Sequence, residues 1–109
     1  MLFWKKKTEK AGAEHESIGP DVVRKRFYFS GRVQRVGFRF TAEGLAGELG
    51  LTGYVKNLPD GRVELEVQGR EDAIQELLAG LRADSYIRIT GTEVEEKTPV
   101  RESRFTMVY

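Results

Sequence analysis

The 109 residues suffice for one domain, and 18 Lys and Arg against 17 Asp and Glu leave a net charge of +1. That balance argues against bulk attraction to a nucleic-acid backbone while leaving room for a local basic pocket. With no cysteine and His15 as the only histidine, in a polar stretch near the start, disulfides, thiolate nucleophiles, cysteine and phosphohistidine phosphatases and nearly all zinc enzymes are excluded from the folded part.

Met1 to Trp4 are apolar and precede Lys5, Lys6 and Lys7, the reverse of a secretory signal, in which charge comes first. No stretch approaches the roughly 20 apolar residues that cross a membrane. Residues 1–22 are rich in Lys, Glu, Gly and Ala, lack apolar periodicity and close near Gly19-Pro20. They are expected to be a disordered extension to a cytoplasmic domain spanning 23–109.

Val23 to Ser30, with Phe27, Tyr28 and Phe29, predicts a first strand whose aromatics belong to the core. Gly31 to Gly37 reads as a loop. Phe38, Ala42, Leu45, Ala46 and Leu49 recur at helical spacing and predict a helix ending near Gly50. Its interior glycines, Gly44 and Gly47, each cost about 1 kcal/mol relative to Ala, and are expected to let it lie close to the sheet. Thr52 to Leu58 predicts a second strand, and Pro59-Asp60-Gly61 a turn. Arg62 to Gly69 alternates, with Val63, Leu65 and Val67 on one face and Glu64, Glu66 and Gln68 on the other. Glu71 to Arg82 predicts a second helix with Ile74, Leu77, Leu78 and Leu81 as its apolar stripe and two acids in its first turn. Tyr86 to Glu95 and Phe105 to Tyr109 complete the strands, and Glu93, Glu95, Glu96 and Glu102 read as solvated faces.

The order β-α-β-β-α-β plus a terminal strand is that of an α+β, ferredoxin-like split β-α-β open-faced sandwich, an antiparallel sheet with two helices on one face. Such a plan hosts many functions. The chemistry must come from particular residues.

Gly31-Arg32-Val33-Gln34-Arg35-Val36-Gly37-Phe38-Arg39 joins a strand end to a helix start. The first amides of a helix have no partners within it and carry part of the positive dipole end, so they form an anion site. A compact turn before them aims further N–H groups at the same point, and Arg39 adds a planar guanidinium able to grip two oxygens. On spacing alone, a phosphate loop and a plain surface loop with two arginines stand about level. Asn57, near a strand end, is on its own more readily a turn-capping residue than a catalytic one.

Gly31-Arg32-Val33-Gln34-x-Val36-Gly37-Phe38-Arg39, followed by Gly53-Tyr54-Val55-Lys56-Asn57-Leu58-Pro59-Asp60-Gly61-Arg62-Val63 and by Phe105 to Tyr109, closely resembles the acylphosphatases. The resemblance implies hydrolysis of carboxyl-phosphate anhydrides to a carboxylate and inorganic phosphate, with no metal, no cofactor and no covalent intermediate. It implies that Arg39 binds the phosphate, that Asn57 orients the attacking water, and that Gln34, Arg35, Val36, Gly37 and Phe38 donate backbone amides. The partners it implies are a small acyl phosphate and inorganic phosphate, with a monomer as the working unit and no nucleic acid or membrane.

One residue departs from the family pattern: position 35 is arginine where glycine is usual. If the loop needs φ > 0 there, the side chain costs about 1–2 kcal/mol, and an inward Arg35 would add a second cation and tighten phosphate inhibition. Two other readings share the fold. One is a non-catalytic phosphate- or anion-binding module. The other, an RNA-recognition domain, needs aromatics on the central strands, where Arg62 to Gly69 has none.

Overall fold

The computed structural model describes residues 18–109. The expectations for the apolar start, the lysine run and His15 lie outside the described residues, as does most of the expected disordered extension.

A turn closed by the Val22 amide on the Gly19 carbonyl (3.2 Å) leads into the first strand. The elements are β1 (Val22–Arg32), α1 (Phe38–Glu48), β2 (Thr52–Asn57), β3 (Val63–Arg70), α2 (Glu71–Ala83), β4 (Arg88–Lys97) and β5 (Phe105–Met107). They form a five-stranded sheet in the order β4-β1-β3-β2-β5. β1 pairs antiparallel with β3 and β4, and β3 with β2, which is the expected ferredoxin-like plan. β5 instead runs parallel to β2, with Gly53 opposite Phe105, so the complete sheet is mixed. β4 lies at one edge and runs against β2's direction. The chain must therefore traverse the sheet and reverse before β5 can line the other edge.

Phe27 and Phe29 of β1, Val55 of β2 and Val63, Leu65 and Val67 of β3 are buried against Phe38, Ala42 and Ala46 of α1 and Ile74, Leu77, Leu78 and Leu81 of α2. Burying each large apolar side chain contributes about 1.5–3 kcal/mol. This single interface places both helices on one face. α1 ends in a Schellman turn: Gly50 takes φ 70°, the Leu51 amide reaches the Ala46 carbonyl (2.9 Å), and the Gly50 amide reaches that of Gly47 (3.3 Å).

Several details differ from the sequence reading. Gly44 and Gly47 are exposed, and a Cβ on either would meet nothing within 4 Å, so neither brings α1 close to the sheet. The tight contact lies between the helices, where a Cβ on Gly80 would come 2.8 Å from Leu45. Tyr28 leaves the core for the other face of the sheet, where the Arg62 guanidinium lies 4.9 Å from its ring centre. β4 begins at Arg88 because the Asp84 carboxylate accepts from the Tyr86 and Ile87 amides (2.8 and 3.2 Å) and holds that stretch in a turn.

The sheet face opposite the helices is also covered. Glu64, Glu66 and Gln68 alternate as expected yet are buried, together with Arg24. The Glu66 carboxylate takes Nε of Arg24 (2.5 Å) and Nε of Arg26 (2.6 Å). Gln68 exchanges two hydrogen bonds with the backbone of Val100, donating to its carbonyl (2.7 Å) and accepting from its amide (2.9 Å). Glu102 pairs with Arg24 at 2.8 Å, so it belongs to this network and not to the solvated acids, whereas Glu93, Glu95 and Glu96 are exposed. Residues 98–104 thus strap the sheet between β4 and β5. Burial pushes the Glu66 carboxyl upward, but its bonds to Arg24 and Arg26 outweigh that and hold it below the usual carboxylate range. Burial, the hydrogen bond to Glu64 and the nearby carboxylates push the Tyr54 phenol above its ordinary value.

Candidate active site

β1 and β2 both run antiparallel to β3, so they run in the same direction and their C-terminal ends share one end of the sheet. α1 starts from that end, because it follows β1 through a short connection. Arg32, the loop from Val33 to Gly37, the first turn of α1 and Asn57 therefore converge there.

The loop is pinned by its apolar residues. Val33 and Phe38 are buried, Val36 packs against the core, and the Phe38 ring lies 5.5 Å from that of Phe29. Its polar residue is pinned too: Nε2 of Gln34 donates to the carbonyls of Leu58 (2.8 Å) and Arg62 (2.9 Å). The Gln34 side chain thus ties the loop to the β2–β3 turn. That turn is itself closed by the Leu58 amide on the Arg62 carbonyl (2.8 Å).

Two loop residues have left-handed backbone, Arg35 at φ 64° and Gly37 at φ 81°. The positive φ that would make Arg35 costly is therefore present. Gly37 is the N-cap of α1 and no side chain caps the helix. The first intrahelical bond runs from the Thr41 amide to the Gly37 carbonyl (2.9 Å), so the amides of Phe38, Arg39 and Phe40 have no acceptor within α1. Uncapped amides at the positive end of a helix dipole suit a phosphoryl group.

Arg39, the second residue of α1, is half-buried. Its Nη1 donates to the Val108 carbonyl (2.8 Å), and its Cζ lies 5.3 Å from the centre of the Tyr109 ring. The Val108 amide in turn donates to the Val55 carbonyl (2.9 Å), which extends the β5–β2 pairing beyond Met107. Asn57 ends β2 opposite Val63. It shares the strand face of Val55, the face toward the helices. A chain of contacts from Arg39 through Val108 to β2 therefore sets the arginine relative to the strand that carries Asn57. The parts played by Val108, Tyr109 and the Gln34 side chain were not apparent in the sequence; a match of the terminal strand to a family pattern gave no sign that it holds Arg39.

The arrangement brings backbone donors, a guanidinium and a side-chain amide to one end of the sheet. That set can bind a phosphoryl group, spread its charge and hold a water, with no strong acid or nucleophile. Residues 25–107 match the family model for acylphosphatase. The chain belongs to the acylphosphatase family. A curated acylphosphatase from Clostridium perfringens strain SM101 is 42% identical over 87 residues, covering 78% of this chain and 98% of its own length. The crystal structure of an acylphosphatase from Bacillus subtilis superposes with a TM-score of 0.73 at 35% identity, over 80% of this chain and 99% of that one. An acylphosphatase structure from Coxiella burnetii gives a TM-score of 0.73 at 32% identity, over 81% of this chain and 94% of that one. These relatives support an acylphosphatase enzyme over a non-catalytic anion-binding module. Among the described residues no helix is long and apolar enough to cross a membrane.

Proposed function

We propose that this acylphosphatase cleaves small acyl phosphates without a metal or a covalent enzyme intermediate, using Arg39 and Asn57. The phosphoryl group sits on the backbone amides of Gln34, Arg35, Val36, Gly37 and Phe38, with the Arg39 guanidinium against its oxygens. Asn57 orients a water for in-line attack on phosphorus. The bond between phosphorus and the bridging oxygen breaks, the carboxylate leaves with the electron pair, and a phosphoryl oxygen takes the water proton. Because a carboxylate leaves readily, positioning and charge stabilisation suffice. In this reading the working unit is a cytoplasmic monomer comprising residues 23–109, and neither nucleic acid nor membrane takes part.

The observation that carries the reading is the convergence, at one end of the sheet, of an uncapped helix start, Arg39 and Asn57. Isotope placement tests the bond that breaks. Single-turnover hydrolysis in 18O-water is expected to put one label in inorganic phosphate and none in the carboxylate. Label in the carboxylate would mean attack at the acyl carbon and would contradict the assignment of Asn57.

A further inference from the structure

Positive φ is a conformation in which a side chain is strained, and six of the seven described residues that adopt it are glycines: Gly31, Gly37, Gly50, Gly53, Gly61 and Gly69. The seventh is Arg35. Its backbone cannot relax by drifting, because Gln34 is bonded to two carbonyls across the site and Val36 packs on the core. No compensating contact is present: Arg35 is exposed, and among the described residues no carboxylate, ring or carbonyl engages its guanidinium. A strained residue with no structural partner, on the loop that holds the substrate, points to a role toward the substrate.

The charge around it gives that role a sign. No acidic residue occurs between Asp21 and Glu43. Of the basic residues in that interval, Arg24, Lys25 and Arg26 are all neutralised, by Glu66 and Glu102, by Glu71, and by Glu66. Among the described residues Arg32, Arg35 and Arg39 have no carboxylate partner. Arg39 is committed to the phosphoryl group in the reading above, and Arg32 stands on the strand before the loop turns. Arg35 is therefore an exposed cation without a carboxylate partner on the loop itself, between two residues whose amides are assigned to the phosphoryl group, and it is available to a charge on the acyl group.

We propose that Arg35 makes this enzyme selective for acyl phosphates whose acyl group carries a second negative charge, such as the monophosphate of a dicarboxylic acid. The inference rests on the assignment of the loop as the phosphoryl site. It assigns Arg35 a specificity role separate from the contribution of its backbone amide.

The test compares benzoyl phosphate with 4-carboxybenzoyl phosphate, a matched pair differing by one carboxylate, in the wild-type protein and in Arg35→Gln, Arg35→Lys and Arg35→Gly. The readout is the ratio of kcat/KM for the charged substrate to that for the neutral one, whatever each substitution does to the absolute rates. Arg35→Gln keeps a side chain in the strained conformation while removing the charge. It is expected to lower the ratio on the order of fivefold, as is Arg35→Gly, while Arg35→Lys keeps most of it. Raising the salt should compress the wild-type ratio toward that of Arg35→Gln. A ratio unchanged in Arg35→Gln, with both substrates still turned over, overturns the selectivity proposal and leaves the loop assignment standing. Failure of the wild-type protein to hydrolyse either substrate overturns both.

Discussion

At the scale of single residues, the site combines a well-supported side chain with a strained one. Arg39 is oriented by the Val108 carbonyl at 2.8 Å, and because a guanidinium has five N–H donors, one such bond leaves several for the phosphoryl oxygens it is proposed to bind. Arg35 has no such support, and its φ of 64° is a conformation glycine would adopt freely. Relieving that strain should outweigh the greater freedom that glycine gives the unfolded chain. Arg35→Gly is therefore expected to stabilise the fold by about 1 kcal/mol, raising Tm by roughly 4–8 °C in a domain of this size. Calorimetry checks this directly. An unchanged or lower Tm would mean that the loop carries no strain at this position.

At the scale of elements, what matters is how β2, β5 and the loop are fastened together. The Gln34 side chain spans the gap between the loop and the β2–β3 turn with two hydrogen bonds. Gln34→Ala removes both but leaves the backbone amides in place. It is expected to lower kcat/KM about tenfold while costing about 1–2 kcal/mol of stability, which steady-state kinetics and urea unfolding would measure. Gly53 marks the close approach of β2 to β3: a Cβ there would come 2.0 Å from the Glu66 carbonyl, at φ 131°. Gly53→Ala should therefore destabilise by at least about 3 kcal/mol, because backbone on both sides must move; a loss below about 1 kcal/mol in urea unfolding would contradict it. Much of this level was legible in the sequence. The alternation of Val63, Leu65 and Val67 and the helical spacing of Ile74, Leu77, Leu78 and Leu81 are local signals, and local signals give element type and inward face. The Arg39–Val108 bond joins residues 69 positions apart, and no local pattern contains it. Likewise, Glu64, Glu66 and Gln68 have the alternation of an open polar face. Their burial depends on where residues 98–104 cross the sheet, which is set by which edge β5 occupies. Gly44 and Gly47 misled because a glycine in a helix carries no sign of which face it lies on, and here both lie outside.

At the scale of the whole molecule, the two faces of the sheet are stabilised by different physics. The helix side is an apolar core, while the strapped side is a set of ion pairs around Glu66. Arg24 and Arg26 hold the Glu66 carboxyl low against the effect of burial, and Lys25 holds that of Glu71 low. A depressed carboxylate stabilises the fold fully above its unfolded value, near about 4.3, and that contribution is lost as pH falls through the lower folded value. The urea midpoint is therefore expected to be flat between about pH 6 and 8 and to fall below about pH 5. Lys25 is raised chiefly by its hydrogen bond to Glu71. Its contribution is present below the ordinary lysine value and lost only as pH rises through the folded one. Glu66→Gln leaves buried Arg24 with Glu102 as its remaining carboxylate and takes the nearest one from Arg26, and should cost about 2 kcal/mol at neutral pH while flattening the acid limb. An acid limb as steep as wild type would show that this network is not the source of the pH dependence.

Benzoyl phosphate hydrolysis in EDTA is the decisive measurement for the proposal that this end of the sheet hydrolyses acyl phosphates through Arg39 and Asn57. Rapid turnover is expected of the wild-type protein, reduced at least about 100-fold in both Arg39→Ala and Asn57→Ala while their circular dichroism and Tm show the fold retained. Background rates in the wild-type protein, or variants that remain folded and fully active, would contradict it.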